Sequence, residues 1–143
     1  MSEPLGAFQF QIDLTHLFVR AQIPGEPQAW LRPGRSGGRT FDPKENARAK
    51  KNIRDYLTLA RPQLGMPGSY DANSRFGVIL LFATNLWQTD KDNYEKLVLD
   101  AVKKFVWKDD RQCDEGYVRV VRGRDLQPRS ELTFYTLEGH RWR

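Results

Sequence analysis

The segment Thr89-Asp90-Lys91-Asp92-Asn93-Tyr94-Glu95-Lys96 places two carboxylates two residues apart, an amide beside the second, and a lysine four residues beyond it. In an extended turn, residues two apart share a side, so Asp90 and Asp92 can aim at one point. Such a pair of hard oxygen donors suits Mg²⁺, which takes one or two carboxylates and completes its shell with water and phosphate. On a helix Asp92, Lys96 and Asp100 share one stripe, and a lysine one turn from a metal site is placed to meet a phosphate oxygen. A second acidic pair, Asp109-Asp110, follows Trp107-Lys108 and precedes Arg111-Gln112.

Each of these groups also has a plainer reading. Asp92 followed three residues later by Glu95 is a capping-box pattern, in which the aspartate satisfies helix N–H groups and binds nothing else. Asp100 and Lys96 can form an exposed ion pair one turn apart, the reading preferred for Asp100. Asp109-Asp110 suits an ordinary turn. A helix of about 13 residues spans about 20 Å, which carries Asp110 away from Asp92 unless the chain doubles back. Zinc and nucleophilic schemes find little support, because the chain has one cysteine, Cys113, and two histidines, His16 and His140, near its ends.

Positive charge is concentrated in one stretch. Residues 28–61 hold nine Lys/Arg against three acids, more than the whole net charge of +5, so the remainder is slightly acidic. Such a segment suits a polyanion, since each neutralised phosphate releases condensed counterions. A solvated helix face is the alternative. Arg32, Arg35, Arg39 and Lys44 are the candidate DNA contacts, and Arg32–Arg39 reads as a mobile basic loop that could follow a phosphate backbone.

The elements that must position these groups follow from periodicity. Leu17–Ile23 reads as a strand, with Val19, Ala21 and Ile23 alternating. Pro43 opens a helix that runs to about Ala60, where Pro62 stops it. Gly65–Ser74 is a turn-rich connection, and Phe76–Thr84 is a strand buried on both faces. A second helix, about Asn93 to Phe105, carries Tyr94, Val98, Ala101, Val102 and Phe105 as its core stripe. Tyr117–Val121 and Leu132–Leu137 complete an α/β domain with a mixed sheet of about four strands and two helices. At 143 residues, with 39% hydrophobic and 12% aromatic residues, the chain is read as one folded domain over residues 1–143. No apolar run reaches the roughly 20 residues of a membrane span. With no secretory pattern and an unpaired cysteine, a reducing, cytoplasmic setting is expected.

The stretch from Thr89 to Val102, continuing through Phe105 to Gln112, resembles the core motif of the RusA family of Holliday junction resolvases: Asp-x-Asp-Asn, a lysine three residues on, a helix containing Asp-Ala, then Asp-Asp-x-Gln. Upstream, Ile23-Pro24-Gly25-x-Pro27, Arg32-Pro33 and Thr40-Phe41-Asp42-Pro43 are similar to the family's proline-rich and basic lead-in. The resemblance implies that Asp90, Asp92 and Asp110 ligate a catalytic Mg²⁺ or Mn²⁺. It places Asp109 and Asn93 beside them in possible support and Lys96 near the scissile phosphate. It further implies a homodimer that binds a four-way DNA junction and makes paired cuts leaving 5′-phosphate ends. Trp30 stands where the family often has a lysine, Cys113 replaces an aliphatic residue, and Arg122 replaces a common lysine. Trp30 is read as a core residue, with stacking on an exposed base as the alternative. Residues 1–16 have no counterpart.

Two other readings remain open: a metal-dependent nuclease acting on other branched or duplex DNA, and a non-catalytic DNA-binding module in which the aspartates cap and turn. A 16.7 kDa domain offers a small face for four DNA arms. A two-fold homodimer with one complete metal site per protomer is therefore expected.

Overall fold

The alternation of Leu17–Pro24 (β1) sets its sides: Val19, Ala21 and Ile23 are buried while Arg20 and Gln22 are exposed. The computed structural model describes residues 17–64 and 74–137, so the N-terminal extension over residues 1–16 and most of the turn-rich connection lie outside the described residues. Phe76–Thr84 (β4) is apolar up to its last residue, and eight of its nine residues are buried. It takes the interior of a four-stranded sheet in the order β1-β6-β4-β5, where β5 is Cys113–Arg122 and β6 is Arg129–Thr136. β6 runs antiparallel to both β1 and β4, and β4 runs parallel to β5, so the sheet is mixed as the sequence predicts.

Two helices, Lys44–Leu64 (α1) and Lys91–Val102 (α2), bring their apolar stripes to the sheet. Ile53, Leu57 and Ala60 of α1 join Tyr94, Leu97, Val98, Ala101 and Val102 of α2 in one cluster with Val19, Phe76, Val78, Leu80, Phe82, Leu132 and Phe134. On the reverse side, the ring of Tyr135 occupies the place a side chain at Gly77 would need: a Cβ there would lie 2.3 Å from the ring. Trp107 and Tyr94 are the largest fully buried side chains; Trp107 packs on Phe76 and Phe134, and Tyr94 stacks on Phe82.

The structure differs from the sequence reading at several boundaries: β5 begins at Cys113 rather than Tyr117 and β6 at Arg129 rather than Leu132, and three further differences bear on the site. Gly34–Ser36 (β2) and Arg39–Phe41 (β3) form a hairpin in the stretch read as a mobile loop. Gly37 and Gly38 have φ of 57° and 79°, and positive φ at both central residues is what a tight hairpin turn with right-handed twist requires. Helix α1 continues two residues past Pro62, because proline's φ suits a helix and, in the last turn, its missing N–H removes a single bond. Helix α2 ends at Val102, ahead of Phe105. Lys104 takes φ 65°, and the N–H groups of Phe105 and Val106 both return to the Val102 carbonyl, so a turn rather than further helix carries Phe105 onto the core.

Candidate active site

Strand β4 ends at Thr84, and the loop that follows is tied down on both sides. The Asn85 amide donates to the carbonyls of Gly123, Arg124 and Leu126, while the Arg122 guanidinium donates to those of Leu86 and Thr89. The loop thus delivers Asp90 to the start of α2 from a fixed base. Between its anchors it exposes Leu86 and Trp87, an apolar pair beside Asp90 that the sequence reading did not single out.

Asp90 occupies the N-cap position with extended backbone, yet its side chain makes no cap hydrogen bond. Its carboxylate is exposed. Asp92 lies inside the first turn with its side chain 87% exposed, and its nearest cation is Lys91 at 3.9 Å. The capping box expected from Asp92 and Glu95 is therefore not formed: the helix begins at Lys91, two residues earlier than expected, and that puts Asp90 in the capping position. Asn93 is half-buried, and its carbonyl accepts from the N–H of Trp30 at 2.9 Å.

Lys96 lies on the same side of α2. Its Nζ sits 3.6 Å from the ring centroid of Trp30. The expected Lys96–Asp100 ion pair is absent among the described residues; Asp100 is instead half-buried, and its carboxyl is held above the usual range, chiefly by burial. The charge of Asp110 pushes in the same direction, with Lys50 and Lys96 opposing it.

A capping box does form at the second acidic pair. Asp109 caps the short 3₁₀ turn Asp110–Gln112, accepting from the Arg111 N–H, while the buried Gln112 side chain accepts from the N–H groups of Lys108 and Asp109. The Arg111 guanidinium beside Asp109 holds its carboxyl below the usual range. This explains why an Asp-Asp-x-Gln string belongs here: its first and last members build the turn that presents the second. Asp110 accepts from the Trp107 indole at 2.9 Å through one oxygen, which orients the carboxylate and leaves the other oxygen available.

The two acidic groups lie at opposite ends of α2. The Phe76↔Cys113 end of the β4–β5 pair is next to Asp110, and the Thr84↔Arg122 end is next to Asp90. The 12-residue helix between them rises about 18 Å. Among the described residues no three His, Cys, Asp or Glu side chains come together as a metal-holding group. Asp110 is therefore not gathered with Asp90 and Asp92 into one such group among the described residues. In donor type the residues do fit a hard divalent cation, since all the candidates are oxygen ligands and the carboxylates of Asp90 and Asp92 are exposed and clear of helix capping.

On the basic side, the hairpin exposes Arg39, and Arg32 and Lys44 are exposed beside it; the side chain of Arg35 lies outside the described residues. The hairpin's lead-in is fastened by Asn46, a fully buried residue that the sequence reading passed over. Its side chain accepts from the Leu31 N–H at 2.9 Å and donates to the Leu31 carbonyl and to Asp42, which in turn pairs with Lys50. Cys113 is half-buried, and burial pushes its thiol up to about 12, which keeps it protonated and unreactive. No helix among the described residues is long and apolar enough to cross a membrane.

The family model for endodeoxyribonuclease RusA matches residues 24–134 of this chain. No curated protein matches it.

Proposed function

The chain belongs to the RusA endodeoxyribonuclease family, and from that premise we propose that it is a metal-dependent, structure-selective endonuclease that resolves four-way DNA junctions by paired nicks. The observation that carries this reading is Asp90. It stands where an aspartate ordinarily caps a helix, makes no cap bond, and presents its carboxylate beside the exposed Asp92.

In this reading Asp90 and Asp92 hold a Mg²⁺ or Mn²⁺ ion. Bound there, the ion would lower the pKa of water and neutralise charge on the phosphate. Lys96 adds positive charge where negative charge develops during phosphodiester hydrolysis. The expected products are ligatable 5′-phosphate and 3′-hydroxyl ends. Arg32, Arg35, Arg39 and Lys44 contact phosphates and set the affinity.

In this reading the active particle is a two-fold homodimer, and Asp110 joins the site from the partner subunit. Its separation from Asp90 and Asp92 along α2 supports this sharing, and two-fold symmetry provides the arrangement twice, matched to the two strands cut. Asp109 and Gln112 then support the site by shaping the turn under Asp110. We infer a reducing, cytoplasmic setting from the single cysteine.

Purified protein incubated with a synthetic four-way junction, a flap and a linear duplex, each with and without Mg²⁺, tests the reading. Paired, Mg²⁺-dependent cuts confined to the junction are expected. Equal cutting of the flap or duplex would replace junction resolution with a broader nuclease, and binding without any cut would leave a DNA-binding module.

A further inference from the structure

The indole of Trp30 is a fixed object. Its backbone N–H is bonded to the Asn93 carbonyl in the first turn of α2, and the next residue, Leu31, has both its N–H and its carbonyl held by the buried Asn46 side chain. The ring packs against the core from a half-buried position, and the exposed Lys96 rests its ammonium on the ring face at 3.6 Å. Lys96 has two nearer candidates by sequence, Asp92 and Asp100, each one turn away on its own helix. Among the described residues it forms an ion pair with neither, and Asp92 lies nearest Lys91.

An aromatic face attracts a cation through its quadrupole and, unlike a carboxylate, carries no charge to cancel. A lysine seated on an indole is therefore oriented and still fully positive toward a third group. Side chains on a helix lean toward its N-terminus, so this seat lies on the Asp92 side of Lys96. We propose that Trp30 is a positioning residue for Lys96, holding its ammonium beside the first turn of α2 with its charge free for a DNA phosphate. The proposal rests on the nuclease reading above, which makes Lys96 a phosphate-facing group, and it gives Trp30 a role other than base stacking or core filling.

The test compares Trp30→Phe and Trp30→Leu with wild type, alone and with Lys96→Gln. NMR of the cleavage-deficient Asp90→Asn protein should show the Lys96 side-chain methylenes shifted upfield by the indole. That shift should shrink with Trp30→Phe and vanish with Trp30→Leu. In single-turnover cutting of a four-way junction, Trp30→Leu should slow the reaction by about 3- to 30-fold at unchanged junction affinity, Trp30→Phe by less, and the Trp30→Leu/Lys96→Gln double variant should be no slower than Lys96→Gln alone. A Trp30→Leu protein that cuts at the wild-type rate overturns the proposal. So does an equal slowing of wild type and Lys96→Gln, which marks a merely structural residue. If Trp30→Leu does not fold, Trp30→Tyr joins Trp30→Phe, and methylene shift and rate must then fall together. If wild type cuts no DNA, the nuclease reading fails by itself, and the proposal is decided by whether adding the junction moves the Lys96 resonances in the Trp30 protein more than in Trp30→Phe.

Discussion

The guanidinium of Arg122, at the end of β5, holds the carbonyl of Thr89, the residue immediately before Asp90. Its second nitrogen holds the Leu86 carbonyl at 2.8 Å, so one planar fork fixes both ends of the loop that aims the acid. A lysine ammonium lacks that fork. Arg122→Lys is therefore expected to lower the single-turnover rate of junction cutting by about 3- to 10-fold, and Arg122→Gln by more, because small displacements at a reacting centre are costly. Circular dichroism should show both variants folded; wild-type rates in both would mean that the loop needs no anchor.

Mixing two inactive proteins distinguishes a shared site from a self-contained one. Asp90→Asn and Asp110→Asn should each be inactive as homodimers. If Asp110 serves its partner, a mixed dimer of the two has one site lacking both acids and one site intact, so it should recover nicking of one strand. If both acids serve the same protomer, every site in the mixture is broken and no activity returns.

Because Asp92 does not cap α2, removing it should leave the helix start in place. Asp92→Asn and Asp92→Ala are both expected to abolish cutting while lowering stability by no more than about 1 kcal/mol, the scale of one carboxylate's attraction to a helix N-terminus. A large destabilisation confined to the alanine variant, read by thermal melting, would reinstate the capping role.

The hairpin and the start of α1 should account for a measurable part of the salt dependence of binding. Replacing Arg32, Arg39 and Lys44 together by glutamine should flatten the slope of log K against log salt by about 0.9 for each phosphate that is no longer neutralised. An unchanged slope returns these residues to a solvated face.

Acid titration should separate the carboxylates by sign. Asp114 is held below the usual value of 3.8, first by the Arg75 guanidinium, so as pH falls from that value through its lowered one the unfolded chain binds the proton more readily and stability drops. Asp100 is held above 3.8, first by burial; there the folded chain keeps a proton the unfolded chain releases, and stability is lost as pH rises from 3.8 through the raised value. Asp114→Asn should therefore be destabilising at pH 7 and less so at about pH 3. Asp100→Asn should be mildly stabilising at pH 7, by no more than about 1 kcal/mol, and neutral at about pH 3. Melts at the two pH values check both.

Much of this architecture was legible because it rests on local pattern. The alternation of Val19, Ala21 and Ile23 and the apolar run of Phe76–Thr84 each have one physical solution, and the sheet follows from them. The carboxylates of Asp90 and Asp92 were identifiable for the same reason, being neighbours in the chain. What escaped depends on contacts made across the fold. Nothing near Asn46 signals that its amide fastens Leu31, 15 residues away. Lys96 has acids one turn away on each side, and only the packing of the 30–32 segment offers it an indole. The hairpin was missed because Gly-Gly was read as mobility, whereas two adjacent positive-φ residues also make the tightest turn between strands.

The order β1-β6-β4-β5 also bears on synthesis. β6 lies between β1 and β4, yet among the described residues it is the last strand made, and its partner β1 is the first. Until residues 129–136 have left the ribosome, β1 lacks β6, its partner among the described residues, and β4 lacks one neighbour. Contacts of such long sequence separation form slowly and late. An interrupted translation product would thus expose the apolar faces of β1 and β4, which favours its degradation over the release of a partly formed DNA-cutting enzyme.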